Sequence, residues 1–141
     1  MFSNSGEFDP WLVLRKLDHV RLSWIDMPDG ARGRTDGTRT IWLHRGQQQA
    51  ERRCALTHEL VHLHRHHHGC QPHSIEWAVR VETSRRLVPL DQLTAALQWS
   101  RNVGELAEEL WVTPDVVTDR LRSVSEFERH HILARANYAA S

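Results

Sequence analysis

The pattern of hydrophobic and polar positions changes its period twice along the chain. Asp9 and Pro10 form an N-cap followed by a first-turn proline, and the apolar residues after them have helical spacing. Apolar and polar residues then alternate over 20–24 and again over 38–43, which predicts two β-strands. The glycine-rich segment 28–37 lies between them. The pattern therefore predicts a short helix and then a β-hairpin with a long loop.

Helical periodicity dominates the rest of the sequence. A first long helix is predicted over 47–68, with Gly69 as its C-terminal stop. A second is predicted over 73–88, ended by Pro89. Residues 89–136 predict three or four further short helices.

These elements together predict an α+β fold, with a small hairpin or sheet packed on a mainly helical body. The chain has 141 residues, enough for one hydrophobic core, and no internal repeat or linker separates two units. We expect a single domain over 1–141. Within it, 1–99 would hold the hairpin and the two long helices, and 100–141 would form a C-terminal helical segment.

Composition and charge narrow the classes of function. The chain is 40% hydrophobic and 26% charged, as in soluble globular proteins, and 18 Lys+Arg balance 18 Asp+Glu. A net charge of zero gives no general attraction to nucleic acid or anionic membranes. No segment approaches the roughly 20 apolar residues of a membrane span, and the N-terminal segment lacks signal-peptide features, so we expect a cytoplasmic protein. Cys54 and Cys70 are then expected to be reduced.

The sequence His58-Glu59-Leu60-Val61-His62 is an HExxH motif within the first long helix. Two histidines four residues apart on a helix differ in direction by about 40°, so both imidazoles can reach one ion. Zinc suits imidazole ligands, and Glu59 is placed to meet a water molecule held by the ion. The motif therefore predicts a zinc site, although a purely structural helix remains the alternative.

A catalytic zinc ion normally takes three protein ligands, and the second long helix offers two carboxylates for the third position. Glu76 and Glu82 follow His62 by 14 and 20 residues. Six residues rotate a helix by about 600°, so these two side chains face different ways and only one is expected to reach the metal. The other would be a surface charge paired with nearby arginines.

Further histidines allow a second, adventitious metal position. Five follow the motif: His64, His66, His67, His68 and His73. Within this cluster, 62 with 66 and 64 with 68 are also i,i+4 pairs. Cys54 lies on the same helix stripe as the motif, but about 12 Å along the helix axis from His62, so one ion cannot bind both. We expect Cys54 to be a small core residue beneath the site.

The run ERRCALTHELVHLHRHHHG, followed by E-x-x-V-x-x-x-T-x-R-R-L-V-P from Glu76 to Pro89, resembles the ImmA/IrrE family of metallopeptidases. The similarity is closest to the small versions carried by actinobacterial phages and mobile elements, and it covers most of the chain. It implies a zincin-like metallopeptidase domain with one Zn²⁺ per chain. His58, His62 and Glu76 would then be the metal ligands, and Glu59 the catalytic general base.

One position departs from the family pattern. The family usually carries Asn or Asp four residues after the ligand glutamate, and this chain has Arg80. An arginine cannot accept a hydrogen bond from a metal ligand, so it would either pair with Glu76 or reach the cleft and stabilise an oxyanion. Arg80, His66 and His73 are the candidates for that second role.

The resemblance also implies a protein substrate, namely a helix-turn-helix repressor of a phage or mobile element, cut to relieve immunity. The alternative is a metal-binding regulatory protein of the same family that acts through protein contacts without proteolysis. Residues 105–122 have the spacing of a helix-turn-helix, with Arg120 and Arg122 facing partly outward, but their few cations lead us to expect no direct DNA binding. The loop with Arg32 and Arg34 is either a substrate-facing flap or a solvated turn.

Overall fold

The computed structural model describes residues 7–140, with side chains described as far as Tyr138. The helices are α1 (Pro10–Arg15), α2 (Gln49–His64), α3 (His73–Leu87), α4 (Leu90–Leu97), α5 (Val103–Leu110), α6 (Pro114–Arg122) and α7 (Glu126–Ala140). The strands are β1 (Arg21–Ile25), β2 (Gly33–Thr35) and β3 (Thr40–His44). The mainly helical α+β fold expected from the sequence is confirmed.

The sheet is small, and its topology differs from the predicted hairpin. The strand order is β1-β3-β2, and β1 pairs with β3 in parallel, with Leu22 opposite Ile41. The hairpin is instead formed by β2 and β3, which run antiparallel, so the predicted loop 28–37 contains a strand. The alternation of apolar and polar residues correctly identified the segments that form β1 and β3. A period of two carries no information on which strands pair.

Helix α2 lies between two hydrophobic clusters. On one side Leu56 and Leu60, both fully buried, pack with Ile41 and Leu43 of the sheet. On the other side Cys54 belongs to a second cluster, which is formed otherwise by the end of α3 and by residues of α4 to α6. A helix with apolar contacts on two sides is held firmly by the core, so it is a stable platform for polar side chains.

The remaining helices begin and end largely as the sequence predicts. Helix α3 ends at Leu87, just before Pro89, and Thr113 caps α6 with Pro114 in the first turn. Glu128 and Ser125 form a capping box at the start of α7, each backbone N–H donating to the other side chain at 3.1 Å. Helix α2, in contrast, ends at His64, five residues before the predicted stop at Gly69.

The C-terminal helices differ from the predicted helix-turn-helix surface at one residue. Arg120, expected to face partly outward, is only 1% exposed. Its guanidinium donates to the carboxylate of Glu128 at 2.7 Å and to the carbonyl of Val88 at 2.7 Å. Of the two arginines near the end of α6, only Arg122 is therefore exposed, which weakens the resemblance to a DNA-recognition helix.

Within residues 7–140, no helix has both the length and the apolar character that crossing a membrane would require.

Candidate metal centre

Three side chains from two helices converge beside the sheet. His58 and His62 lie one turn apart on α2, and Glu76 lies in the first turn of α3. The Nε2 atoms of the two histidines are 3.2 Å apart. The Glu76 carboxylate oxygens lie 3.3 Å from Nε2 of His62 and 3.5 Å from Nε2 of His58. Among the residues that the structure describes, these three form the cluster that could hold a metal ion.

The spacing of the three donor atoms can be compared with the geometry of zinc. In a tetrahedral site with bonds of about 2.0–2.1 Å, the ligand atoms lie about 3.3–3.4 Å from one another. The observed separations of 3.2, 3.3 and 3.5 Å fit this value. Two imidazoles and one carboxylate are also a ligand set that zinc accepts in catalytic sites, where the fourth position belongs to water or substrate.

The electrostatic environment favours the protonation states in which these side chains can bind a cation. Hydrogen bonding from His58 and the proximity of His62 outweigh burial and lower the pKa of Glu76, which favours its carboxylate form. Burial lowers the pKa of His62, which favours the neutral imidazole. A carboxylate and neutral imidazoles are the states in which these side chains bind metal.

Glu59 lies next to the metal cluster in a buried position. Its side chain is only 7% exposed, and burial, assisted by the negative charge of Glu76, raises its pKa to about 7. Gly33 of β2 makes this close packing possible, because a Cβ at that position would lie 3.1 Å from Cγ of Glu59. A carboxyl group whose pKa is near neutrality can both accept and return a proton at neutral pH.

Two cavities meet at His58 and Glu59. One, of about 250 Å³, extends toward the first turn of α6 and is lined also by Arg32, Arg80 and Cys54. The other, of about 490 Å³, extends toward the loop after α2. Strand β2 borders both cavities. The part of the predicted loop 28–37 that contains Arg34 is therefore an edge strand facing the site, not a solvated turn.

The structure places Glu82 away from the cluster. Its carboxylate pairs with Arg65, and it also lies 3.7 Å from Arg86 one turn along α3. Of the two carboxylates left open by the sequence, Glu76 is therefore the one that the fold brings to the histidines.

The three candidate oxyanion donors lie in different places. Arg80 lines the smaller cavity with His58 and Glu59, but it does not pair with Glu76 as one alternative predicted. Its guanidinium instead donates two hydrogen bonds to the buried carboxylate of Asp119, at 2.5 and 3.0 Å. His66 and His73 are exposed, and neither lines the two cavities.

The fold also shows where the remaining histidines and the two cysteines lie. Because α2 ends at His64, the helical i,i+4 geometry does not extend to His66 and His68. Both cysteines are free, and Cys54 is a buried core residue beneath the site, as predicted, while Cys70 is exposed.

Sequence reasoning missed two residues that contact the site. His67 lies with its Nδ1 3.0 Å from Nδ1 of His62, and Asp119 holds Arg80. Spacing alone gave no signal for Asp119, which is 39 residues from its partner. The signal for His67 would have been its position just after the end of the helix that carries the HExxH motif, but the sequence predicted that end at Gly69.

A comparison with known families matches residues 19–122 to the peptidase M78 family model, described as the IrrE N-terminal-like domain. The match covers β1 to α6 and includes every residue of the cluster. No curated protein and no solved structure matches the chain significantly.

Proposed function

The chain belongs to the M78, IrrE-like peptidase family, and from this premise we propose that it is a zinc-dependent metallopeptidase that cleaves a peptide bond in a partner protein. His58, His62 and Glu76 would hold one Zn²⁺ per chain. The observation that supports this proposal most is the set of three donor atoms 3.2–3.5 Å apart, with a buried carboxyl group beside them.

Zinc in this site would supply Lewis acidity, which polarises a peptide carbonyl and makes a water molecule acidic. Glu59 would accept the proton of the attacking water and pass it to the leaving amine. Its burial matters for both steps, since a carboxylate of ordinary pKa is a weak base toward water and, at neutral pH, would lose the proton to solvent before the amine leaves. General acid–base catalysis of this kind contributes about 10²–10⁴-fold to rate.

The developing oxyanion needs a hydrogen-bond donor, and we assign this role to Arg80. Of the three candidates, it alone lines a cavity shared with Glu59. Asp119 binds Nε and Nη2 of its guanidinium, which fixes the orientation of the side chain and leaves the Nη1 hydrogens for substrate.

We further propose that the substrate is a helix-turn-helix repressor of a phage or mobile element, and that the protein acts in the cytoplasm of a bacterial host. The support is the family resemblance and the cleft itself. Two cavities that meet at His58 and Glu59 can take chain on both sides of a scissile bond.

The zinc site can be tested by metal analysis of tag-free protein. We expect about one zinc per chain in the natural protein and its loss in His58→Ala and in Glu76→Ala. Glu82→Ala is the matched control, because it removes the other carboxylate of the same helix and should leave zinc bound. A natural chain without zinc, or loss of zinc only in Glu82→Ala, contradicts the proposed site.

Proteolysis needs a separate experiment. Co-expression with the repressor encoded beside the gene, under inducing conditions, should give a cleaved repressor that stays intact with Glu59→Gln. If zinc is bound but the repressor stays intact with the natural chain as well as with Glu59→Gln, the chain is the metal-binding regulator of the alternative hypothesis.

A further inference from the structure

The end of helix α2 has an uncommon form that bears on the metal cluster. His66 adopts the left-handed conformation, with φ +57°, where glycine is usual. The N–H of His66 donates to the carbonyl of Leu63, and the N–H of His67 donates to the carbonyl of His62, both at 3.0 Å. These two bonds define a Schellman motif, which folds the chain back against the last turn of its own helix.

The motif brings two imidazole rings together. The residue that follows the left-handed position in a Schellman motif contacts the residue five positions earlier, and here these residues are His67 and His62. Their Nδ1 atoms are 3.0 Å apart, and their rings meet edge to face at 5.2 Å between centroids. His62 therefore contacts Glu76 and His58 through Nε2 and His67 through Nδ1.

The turn between β2 and β3 holds the loop in this position. Nδ1 of His68 lies 2.8 Å from the carbonyl oxygen of Asp36. The next residue, Gly37, has φ +82°, and a Cβ there would lie 2.5 Å from the carbonyl oxygen of His67. Only glycine lets the turn approach this closely, so the position of His67 is determined from both the helix and the sheet.

We propose that His67 is a positioning residue for the metal ligand His62, an inference that rests on the proposed zinc site. The Nδ1–H of His62 donates to Nδ1 of His67, which leaves Nε2 of His62 unprotonated and directed at the ion. Histidines that bind metal usually donate their other ring N–H to a carboxylate or carbonyl. In this chain a second imidazole accepts that hydrogen bond.

The proposal can be tested with Zn²⁺ alone, by chelator competition on the full chain. Loss of such an orienting partner typically weakens metal affinity about 10–100-fold, and we expect this for His67→Ala. In His67→Asn the side-chain oxygen replaces Nδ1 as acceptor, so affinity should return close to that of the natural protein. His131→Ala, an exposed histidine of α7, is the matched control and should bind zinc normally.

A spectroscopic measurement separates orientation from general damage. With Co²⁺ in place of zinc, His67→Ala should shift the visible absorption bands, and His67→Asn should restore them. Gly37→Ala is a second variant, remote from the ligands, that should also weaken zinc binding by displacing His67. Its effect on zinc affinity should be absent when combined with His67→Ala, because the imidazole that it displaces is already gone.

Different results would overturn the zinc site and the positioning role of His67. If the natural protein binds no zinc, the proposed function itself is wrong. If the natural protein binds zinc and His67→Ala binds it equally well, or if His67→Asn is as weak as His67→Ala, the positioning role is overturned while the metal site stands.

Discussion

At the scale of single residues, Glu59 has an environment that is unusual for a carboxyl group. It is a carboxyl group placed in the interior, beside Glu76 and a glycine that allows close packing. Burial raises its pKa from about 4.5 to about 7, so the folded chain favours the protonated form more than the unfolded chain does. Ionisation of Glu59 therefore opposes folding as the pH rises through this range.

Substituting Glu59 should change the pH dependence of stability. In the metal-free natural protein, the raised pKa of Glu59 lowers the free energy of unfolding by on the order of 3 kcal/mol once the pH exceeds about 7. Glu59→Gln is uncharged at every pH and lacks this effect. We expect the natural protein to lose stability relative to Glu59→Gln between pH 5 and pH 8, measured by denaturant unfolding. Parallel pH profiles for the two proteins would contradict the raised pKa.

Part of the site follows from the sequence at this scale. The spacing of His58, Glu59 and His62 on a periodic helix was sufficient to place them together. Spacing alone did not choose between Glu76 and Glu82, because that choice depends on how the loop after α2 sets the start and rotation of α3. Only the family resemblance pointed to Glu76. The fold makes that choice, and it gives Glu82 two arginine partners instead.

At the scale of elements, the end of α2 shows why local signals were insufficient. Glycine is the usual residue at a left-handed helix end, so the sequence predicted that α2 would end at Gly69. The chain uses His66 instead, and no sequence rule selects one histidine among five neighbours. The strand β2 was missed for a related reason, since three residues in a glycine- and arginine-rich segment are too few to show alternation.

The left-handed residue allows a stability prediction. A non-glycine residue in this conformation costs roughly 1–2 kcal/mol, less for residues that tolerate it. His66→Gly removes the strain but also makes the unfolded chain more flexible. We expect a net gain of up to about 1 kcal/mol in the free energy of unfolding, measured by thermal or denaturant unfolding, with zinc binding unchanged. Lower stability, or loss of zinc, would show that the imidazole of His66 has a role of its own.

An ion network around the buried Glu128 and Arg120 joins α3, α6 and α7. The carboxylate of Glu128 accepts hydrogen bonds from Arg120 of α6 and, at 2.8 Å, from Arg85 of α3. Burial opposes ionisation of Glu128, but the two arginines and the N–H of Ser125 outweigh it and lower its pKa. The network therefore stabilises the fold above pH 4.5, and this contribution is lost as the pH falls below that value.

Removing the carboxylate should be costly. Glu128→Ala leaves Arg120 buried without a counter-charge, and breaking such a pair typically costs about 3–5 kcal/mol. Glu126→Ala, an exposed glutamate on the same helix, is the matched control and should cost less than about 1 kcal/mol. Denaturant unfolding at pH 7 measures both. The difference between the two variants should shrink as the pH is lowered from about 4.5 toward 2, and equal stabilities at pH 7 would contradict the role of the network.

At the scale of the whole molecule, the C-terminal helices contribute to the core beneath the site. Leu87, Val88 and Leu93 pack with Leu106 and Val117 in one hydrophobic cluster that also contains Cys54 of α2. The predicted division at residue 99 passes through this cluster. Its two halves are therefore expected to depend on each other for stability.

Truncation tests this dependence. A chain of residues 1–99 exposes the apolar face that α5 and α6 cover, and we expect it neither to fold cooperatively nor to bind one zinc per chain. A chain ending at residue 135 keeps Glu128 and Ile132 and should do both. Circular dichroism on heating and metal analysis distinguish the two results. A folded, zinc-binding 1–99 piece would instead indicate two independent domains.

The pairing of Arg80 with Asp119 also has an evolutionary consequence. Asp119 is buried, and a buried carboxylate without a cation is strongly destabilising. A relative with the family's usual Asn or Asp at position 80 would leave an aspartate at 119 without its partner or beside a second acid. The two positions should therefore change together between lineages, and the passage between the two states should run through a neutral residue at 119.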